Sequence, residues 1–326
     1  MRLLGVELTR LRWRRAAVVL LLACVLIPAV LFAGLAWNTR PVSEADLRQA
    51  QQEVERYAAT MEQDVESCLA SPRRHGIPRS EDPERLCREF YGEEPQVDWF
   101  LHRPQLDVER EREGTGLGVV TILIGLVMLL GTTFAGHDWN SGSMSNQLLF
   151  EPRRARVWTA KAMAVLLAGL VTAAVVLTGW WGAVWMLAES RDLTTAPETW
   201  EQVREGVGRA VPLVAGAGLG AYALTMFFRS TVATLGVLFA VAIGGNLLLV
   251  AVLGEQATRW LLPTNVMAVL LDGLTYYDPS IACPPRERFC DQQAMLTLAG
   301  GATYLGVLLL VAVLASVWSF RRRDVP

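Results

Sequence analysis

Lysine is all but missing from this sequence: Lys161 is the only one among 326 residues, beside three histidines and five cysteines. Each shortage removes a class of chemistry. A GxxxxGK[ST] loop, which wraps a nucleotide phosphate in backbone amides, needs a lysine behind glycine, and Lys161 instead follows Trp158, Thr159 and Ala160. His75, His102 and His137 are widely spaced and neither HExxH nor CxxC occurs, so no spacing suits a bound metal. No catalytic or cofactor-binding set is legible, and nothing in the pattern suits nucleic acid. Charge is scarce as well. Hydrophobic residues make up 52% and charged residues 19% of the chain, which excludes an ordinary soluble enzyme of this length.

What is present is apolar sequence in blocks. Runs at 16–37, 116–136, 160–187, 211–228, 231–254 and 295–320 each approach the roughly 20 residues with which a helix crosses hydrocarbon. Backbone amides find no water there, so each run is a helix or part of a closed barrel, and unbroken apolarity argues against barrel strands. The first run follows Arg12, Arg14 and Arg15 as a signal peptide would, yet it outlasts the about 7 to 15 residues of a signal core. The expected fold class is an all-α polytopic membrane protein, six transmembrane helices with a helical extracytoplasmic insertion between helices 1 and 2. Span interiors are essentially without acids or bases, where proton- or sodium-coupled carriers place them. Tyr222, Asn246 and Tyr304 are the main polar interruptions, suited either to a substrate pathway or to hydrogen bonds between helices.

Basic residues at span ends set the orientation. Arg10, Arg12, Arg14 and Arg15 precede the first span; Arg153, Arg154, Arg156 and Lys161 lie between the second and third; Arg229 separates the fourth and fifth; Arg321, Arg322 and Arg323 follow the sixth. All four groups fall on one face, which predicts cytoplasmic N and C termini in a bacterial plasma membrane. Residues 1–15 are then a cytoplasmic interfacial helix, 137–159 a cytoplasmic loop and 321–326 a cytoplasmic tail, while 38–115 and 255–294 are extracytoplasmic. The net charge of -2 sums over both faces and says little about partners.

Cysteines fit this division. Cys68 and Cys87 fall in the first outer segment and Cys283 and Cys290 in the last, as disulfide cysteines in an oxidising compartment do. Local pairing, Cys68 with Cys87 and Cys283 with Cys290, is favoured because each pair shares a segment; free thiols are the alternative. Ser43 to Asp46 has a capping-box pattern, and Leu47, Val54, Tyr57, Ala58, Met61 and Val65 continue it as a long helix. Pro72, Gly76, Pro78 and Pro83 break that helix, and Arg85 to Tyr91 is expected as a second helical piece that a disulfide staples back. In the last outer segment, Val266 to Leu271 is too short to cross and predicts a helix dipping into the outer surface, with Tyr276 and Tyr277 at headgroup depth.

Residues 137–161 read HDWNSGSMSNQLLFEPRRARVWTAK, too long for a tight turn and too polar for lipid. Ser141 or Ser143 can cap a short helix carrying Met144, Gln147, Leu148 and Phe150, and Pro152 stops it. Leu148, Leu149 and Phe150 form an apolar ridge that either tucks under the spans or docks into another protein. At these residues the chain resembles the membrane subunits of type-2 ABC exporters. Asp138, Gly142-Ser143, Leu148-Leu149, Pro152-Arg153-Arg154 and Lys161 match that family's acidic residue, Gly-Thr step, Leu pair, proline with basic residues and third-span lysine. Asp stands for the more usual Glu and Ser for Thr. The resemblance extends to the six-span layout, although 38–115 exceeds the family's usual first outer loop.

The resemblance implies a coupling helix seated in a separate ABC ATPase subunit, with ATP and Mg bound there and no cofactor here. It also implies a second copy or a sibling permease completing the pathway, surrounding membrane lipid, and a transporter subunit rather than an enzyme, exporting its substrate. Uncharged spans favour a hydrophobic or amphipathic cargo. The alternative expectation is a membrane-anchored sensor or assembly factor whose 38–115 segment binds a ligand or partner.

Overall fold

The computed structural model describes residues 2–77, 82–92, 95–101, 105–281 and 292–323, with Arg2 and Asn246 described in backbone alone. Pro78, His102, Cys283 and Cys290 lie outside these residues, and with them the expected Cys283–Cys290 pair. The helices are α1 (Arg2–Trp13), α2 (Arg15–Asn38), α3 (Glu44–Ala70), α4 (Pro83–Tyr91), α5 (Val97–Phe100), α6 (Val108–Glu113) and α7 (Thr115–Asn140). They continue as α8 (Ser143–Phe150), α9 (Arg154–Glu189), α10 (Pro197–Phe228), α11 (Thr231–Phe239), α12 (Asn246–Leu253), α13 (Leu262–Leu270) and α14 (Leu298–Arg322).

Among the described residues, six helical stretches are long and apolar enough to cross a membrane: Arg15–Asn38, Val108–Asn140, Arg154–Glu189, Pro197–Phe228, Thr231–Leu270 and Leu298–Arg322. The chain is an all-α polytopic membrane protein with one small exception. Strands β1 (Leu274–Tyr277) and β2 (Gln293–Leu296) pair antiparallel, Leu274 opposite Leu296 and Tyr277 opposite Gln293. Tyr276 and Tyr277 therefore belong to a hairpin, and the run expected from 295 begins as a helix only at Leu298, where the Thr297 hydroxyl accepts from the Gly300 amide at 3.2 Å. Helix ends also outrun hydropathy: α7 continues to Asn140 and α9 starts at Arg154, so the loop expected over 137–159 shrinks to 141–153. Apolarity marks only the part of a helix that meets lipid. Polar end turns persist wherever their side chains find partners, and at about 1.5 Å per residue α9 spans about 54 Å.

The chain divides into two compact units. The larger comprises Met1–Phe32 and Val108–Pro326, and there α10 packs against α7, α9 and α14. Close approach explains the α7–α10 contact: a Cβ on Gly131 would run into the Gly218 carbonyl, and one on Gly218 into Val127. Hydrogen bonds tie the same helices, from the Tyr222 hydroxyl to the Trp158 carbonyl at 3.0 Å and from Trp158 Nε1 to Ser316 Oγ at 3.0 Å. The fifth span is different in kind. A π-helical stretch at Ala240–Gly245 interrupts it between α11 and α12, and Val232, Phe239, Leu247, Leu248 and Val252 are exposed along it.

The smaller unit, Ala33–Asp107, is built on α3. Its capping box is formed: Ser43 Oγ accepts from the Asp46 amide at 3.3 Å, and the Ser43 amide donates to Asp46 Oδ2 at 3.0 Å. A Cys68–Cys87 disulfide joins α3 to α4, with Ile77, Leu86 and Tyr91 packed around it. Tyr57 meets Phe100 of α5 edge to face at 5.6 Å.

Candidate functional site

The segment joining α7 to α9 turns on Gly142, which sits at φ 68°, ψ 5° immediately before α8. Only glycine adopts this left-handed conformation without strain. Because the backbone itself makes the turn, neither serine caps α8 as expected. Ser141 Oγ donates back to the His137 carbonyl at 2.8 Å, and Ser143 Oγ to Asp138 Oδ1 at 2.9 Å. Helix α8 ends at Phe150, two residues before Pro152.

The apolar ridge divides between two faces. Met144 is buried and Leu148 half-buried against the core around Phe134 and Trp158, whereas Leu149 is 80% and Phe150 91% exposed. The ridge therefore splits: Leu148 tucks in under the spans, and Leu149 with Phe150 faces out.

Beneath α8 lies a buried cluster of charges. Asp138 near the end of α7, Lys161 in the second turn of α9 and Glu7 of α1 are each fully buried. Lys161 Nζ donates to Glu7 Oε2 at 2.8 Å and to Asp138 Oδ2 at 2.5 Å. Arg14 pairs with Asp138 through Nη2 and donates from Nη1 to the Phe134 carbonyl at 2.6 Å. Two acids face two bases, so the quartet is neutral, as burial away from water demands. Gln147 carries the network into α8: its Nε2 donates to Glu7 Oε1 at 2.6 Å, and its Oε1 accepts from Arg10 Nη1 at 3.3 Å. The Phe134 ring lies under both cations, 4.8 Å from the Arg14 guanidinium and 5.3 Å from Lys161 Nζ.

The remaining residues singled out in the sequence separate into inward and outward groups. Arg154 Nη1 donates to the Phe320 and Arg323 carbonyls at 3.3 and 2.6 Å, closing the last turn of α14, while Pro152 and Arg153 are exposed. Tyr222 is fully buried and its hydroxyl is engaged with α9; the Tyr304 hydroxyl donates to the Trp260 carbonyl at 2.9 Å. Both tyrosines thus act as ties between segments. Asn246 opens α12, and its side chain lies outside the described atoms.

Glu7 is the residue sequence reasoning missed. A signal was available: it is the only acid in 1–15 and shares a helical stripe with Leu3, Leu11 and Arg14. A lone carboxylate on an inward-facing stripe needs a buried cation, and the chain has one lysine to offer. Comparison with protein-family models, with curated proteins and with solved structures finds no match. The chemistry open at this end of the larger unit is therefore read from its own residues. The quartet answers its own charges and holds α1, α7 and α9 together, leaving the Leu149–Phe150 pair facing outward.

Proposed function

We propose that the chain is the transmembrane permease subunit of an ATP-driven exporter of the type-2 ABC class, moving a hydrophobic or amphipathic substrate outward. ATP and Mg belong to a separate ATPase subunit, and a second copy or a sibling permease completes the pathway. One observation carries the reading: α8 is anchored on one face by Met144, Leu148 and Gln147 and presents two adjacent large apolar side chains, Leu149 and Phe150, on the other. A short, rigid helix with an exposed apolar end suits a groove on a partner protein. The only lysine is taken up by Glu7 and Asp138, which is no place for a phosphate.

Displacement of α8 by closing ATPases would pass through Ser143 and Asp138 into α7 and through the quartet into α9, biasing the spans between an inward and an outward arrangement. In this reading α8 and both termini face the cytoplasm of a bacterial plasma membrane, and 38–115 and 255–294 lie outside. Replacing Leu149 and Phe150 together by Asp is expected to abolish co-purification of the ATPase while membrane insertion and thermal stability hold. Leu148→Asp, at a half-buried position, is expected to lower stability as well. Capture of an ATPase by the Leu149→Asp, Phe150→Asp protein would sink the docking reading. For orientation, a cysteine at exposed Arg153 should resist a membrane-impermeant maleimide in intact cells and react in inverted vesicles; labelling from outside would reverse the topology.

A further inference from the structure

We propose that Glu7 is a positioning residue for α8: a single carboxylate that makes α1 and α8 one mechanical unit. The inference rests on the reading of α8 as the segment that receives the ATPase, and adds a second route by which its movement reaches the spans. The two oxygens of Glu7 are divided between neighbours. Oε2 accepts from Lys161 of α9 at 2.8 Å and Oε1 from Gln147 of α8 at 2.6 Å. Gln147 is tied to α1 a second time through Arg10 at 3.3 Å. Through Glu7, helix α1 thus grips both α8 and α9, from the middle of a stripe whose remaining members, Leu3, Leu11 and Arg14, also turn inward.

Geometry gives that grip a consequence. Arg14 alone separates α1 from α2, and Arg14 is itself held to Asp138. A push on α8 therefore reaches the first span through Gln147, Glu7 and α1, as well as α7 through Ser143. Burial makes the linkage all-or-none. With Glu7 neutralised, Lys161 and Arg14 face Asp138 alone, and an unbalanced charge is left inside. Gln147, by contrast, carries no charge, so its removal cuts the tie to α8 and leaves the quartet balanced.

Nitroxide labels at Arg12→Cys and Asn146→Cys, both exposed positions, report the α1–α8 distance in nanodiscs containing this chain alone. The parent protein is expected to give one narrow distance. Gln147→Ala and Glu7→Ala should each lose it. Glu7→Gln combined with Lys161→Met should restore it, since Arg14 and Asp138 then balance and the new amide still accepts from Gln147. A narrow distance retained in both Gln147→Ala and Glu7→Ala overturns the proposal; should Glu7→Ala fail to fold, a narrow distance in Gln147→Ala alone does so. Failure of the combined variant to recover the narrow distance also counts against it. Glu7→Met combined with Lys161→Met, which fills the same space with no acceptor for Gln147, should not recover it, and recovery there would reduce Glu7 to a space-filling role. The same labels in the Leu149→Asp, Phe150→Asp protein keep the two readings apart. An ATPase still captured there removes the docking role, while loss of the narrow distance in Gln147→Ala still establishes the tie.

Discussion

The second and fifth spans are similarly apolar and are put to opposite use. Helix α7 buries Val119, Leu123, Val127, Leu130 and Phe134, whereas the fifth span leaves Val232, Phe239, Leu247 and Leu248 exposed. Apolarity earns entry to the bilayer and no more, because lipid tails are as apolar as leucine and give helices no hydrophobic reason to associate. Small residues and polar ends make the difference. Gly131 lets α7 touch the backbone of α10, and Asp138 gives its end three partners. Gly236 and Gly244 of the fifth span face open space, with nothing within 4 Å of a notional Cβ.

The sharpest way to break this contrast is Lys161→Met, which leaves buried Glu7 and Asp138 with only Arg14 and the more distant, part-exposed Arg10, 3.6 Å from Glu7, as bases. The expected loss is about 3–5 kcal/mol, read by unfolding in detergent, and a loss under about 1 kcal/mol would show that the quartet does not hold this end together. Next comes Gly131→Val, whose new Cβ meets the Gly218 carbonyl; overpacking there should cost about 1–3 kcal/mol and separate α7 from α10. Leu248→Ala, at a side chain 66% exposed, should stay within about 0.5 kcal/mol. A cost for Leu248→Ala that equals that of Gly131→Val would mean the fifth span is packed against protein, and the contrast would fall.

Local features were legible in the sequence and distant ones were not. Ser43 and Asp46 are three residues apart, and their capping box formed as read. The Cys68–Cys87 pair, 19 residues apart, also closed as its shared segment suggested. Six spans and the short α8 followed from runs of apolar residues and from Pro152. The cap of α8 was misread because Ser141 and Ser143 looked equally able, and only the left-handed Gly142 sends both hydroxyls backward. Glu7 stayed hidden because its partners in α8 and α9 are 140 and 154 positions away. No helical or strand period reaches that far. The β1–β2 hairpin escaped notice because four-residue strands beside a span read as the edge of the apolar run.

The position of Lys161 also decides how the folded protein meets acylating reagents. Its amine is the only one any side chain offers, and it is sealed from solvent between two carboxylates. Amine-directed cross-linkers and fluorescent esters will find no side-chain target until the helices part. Mass spectrometric detection of an adduct at this residue would then serve as a built-in clock for local opening.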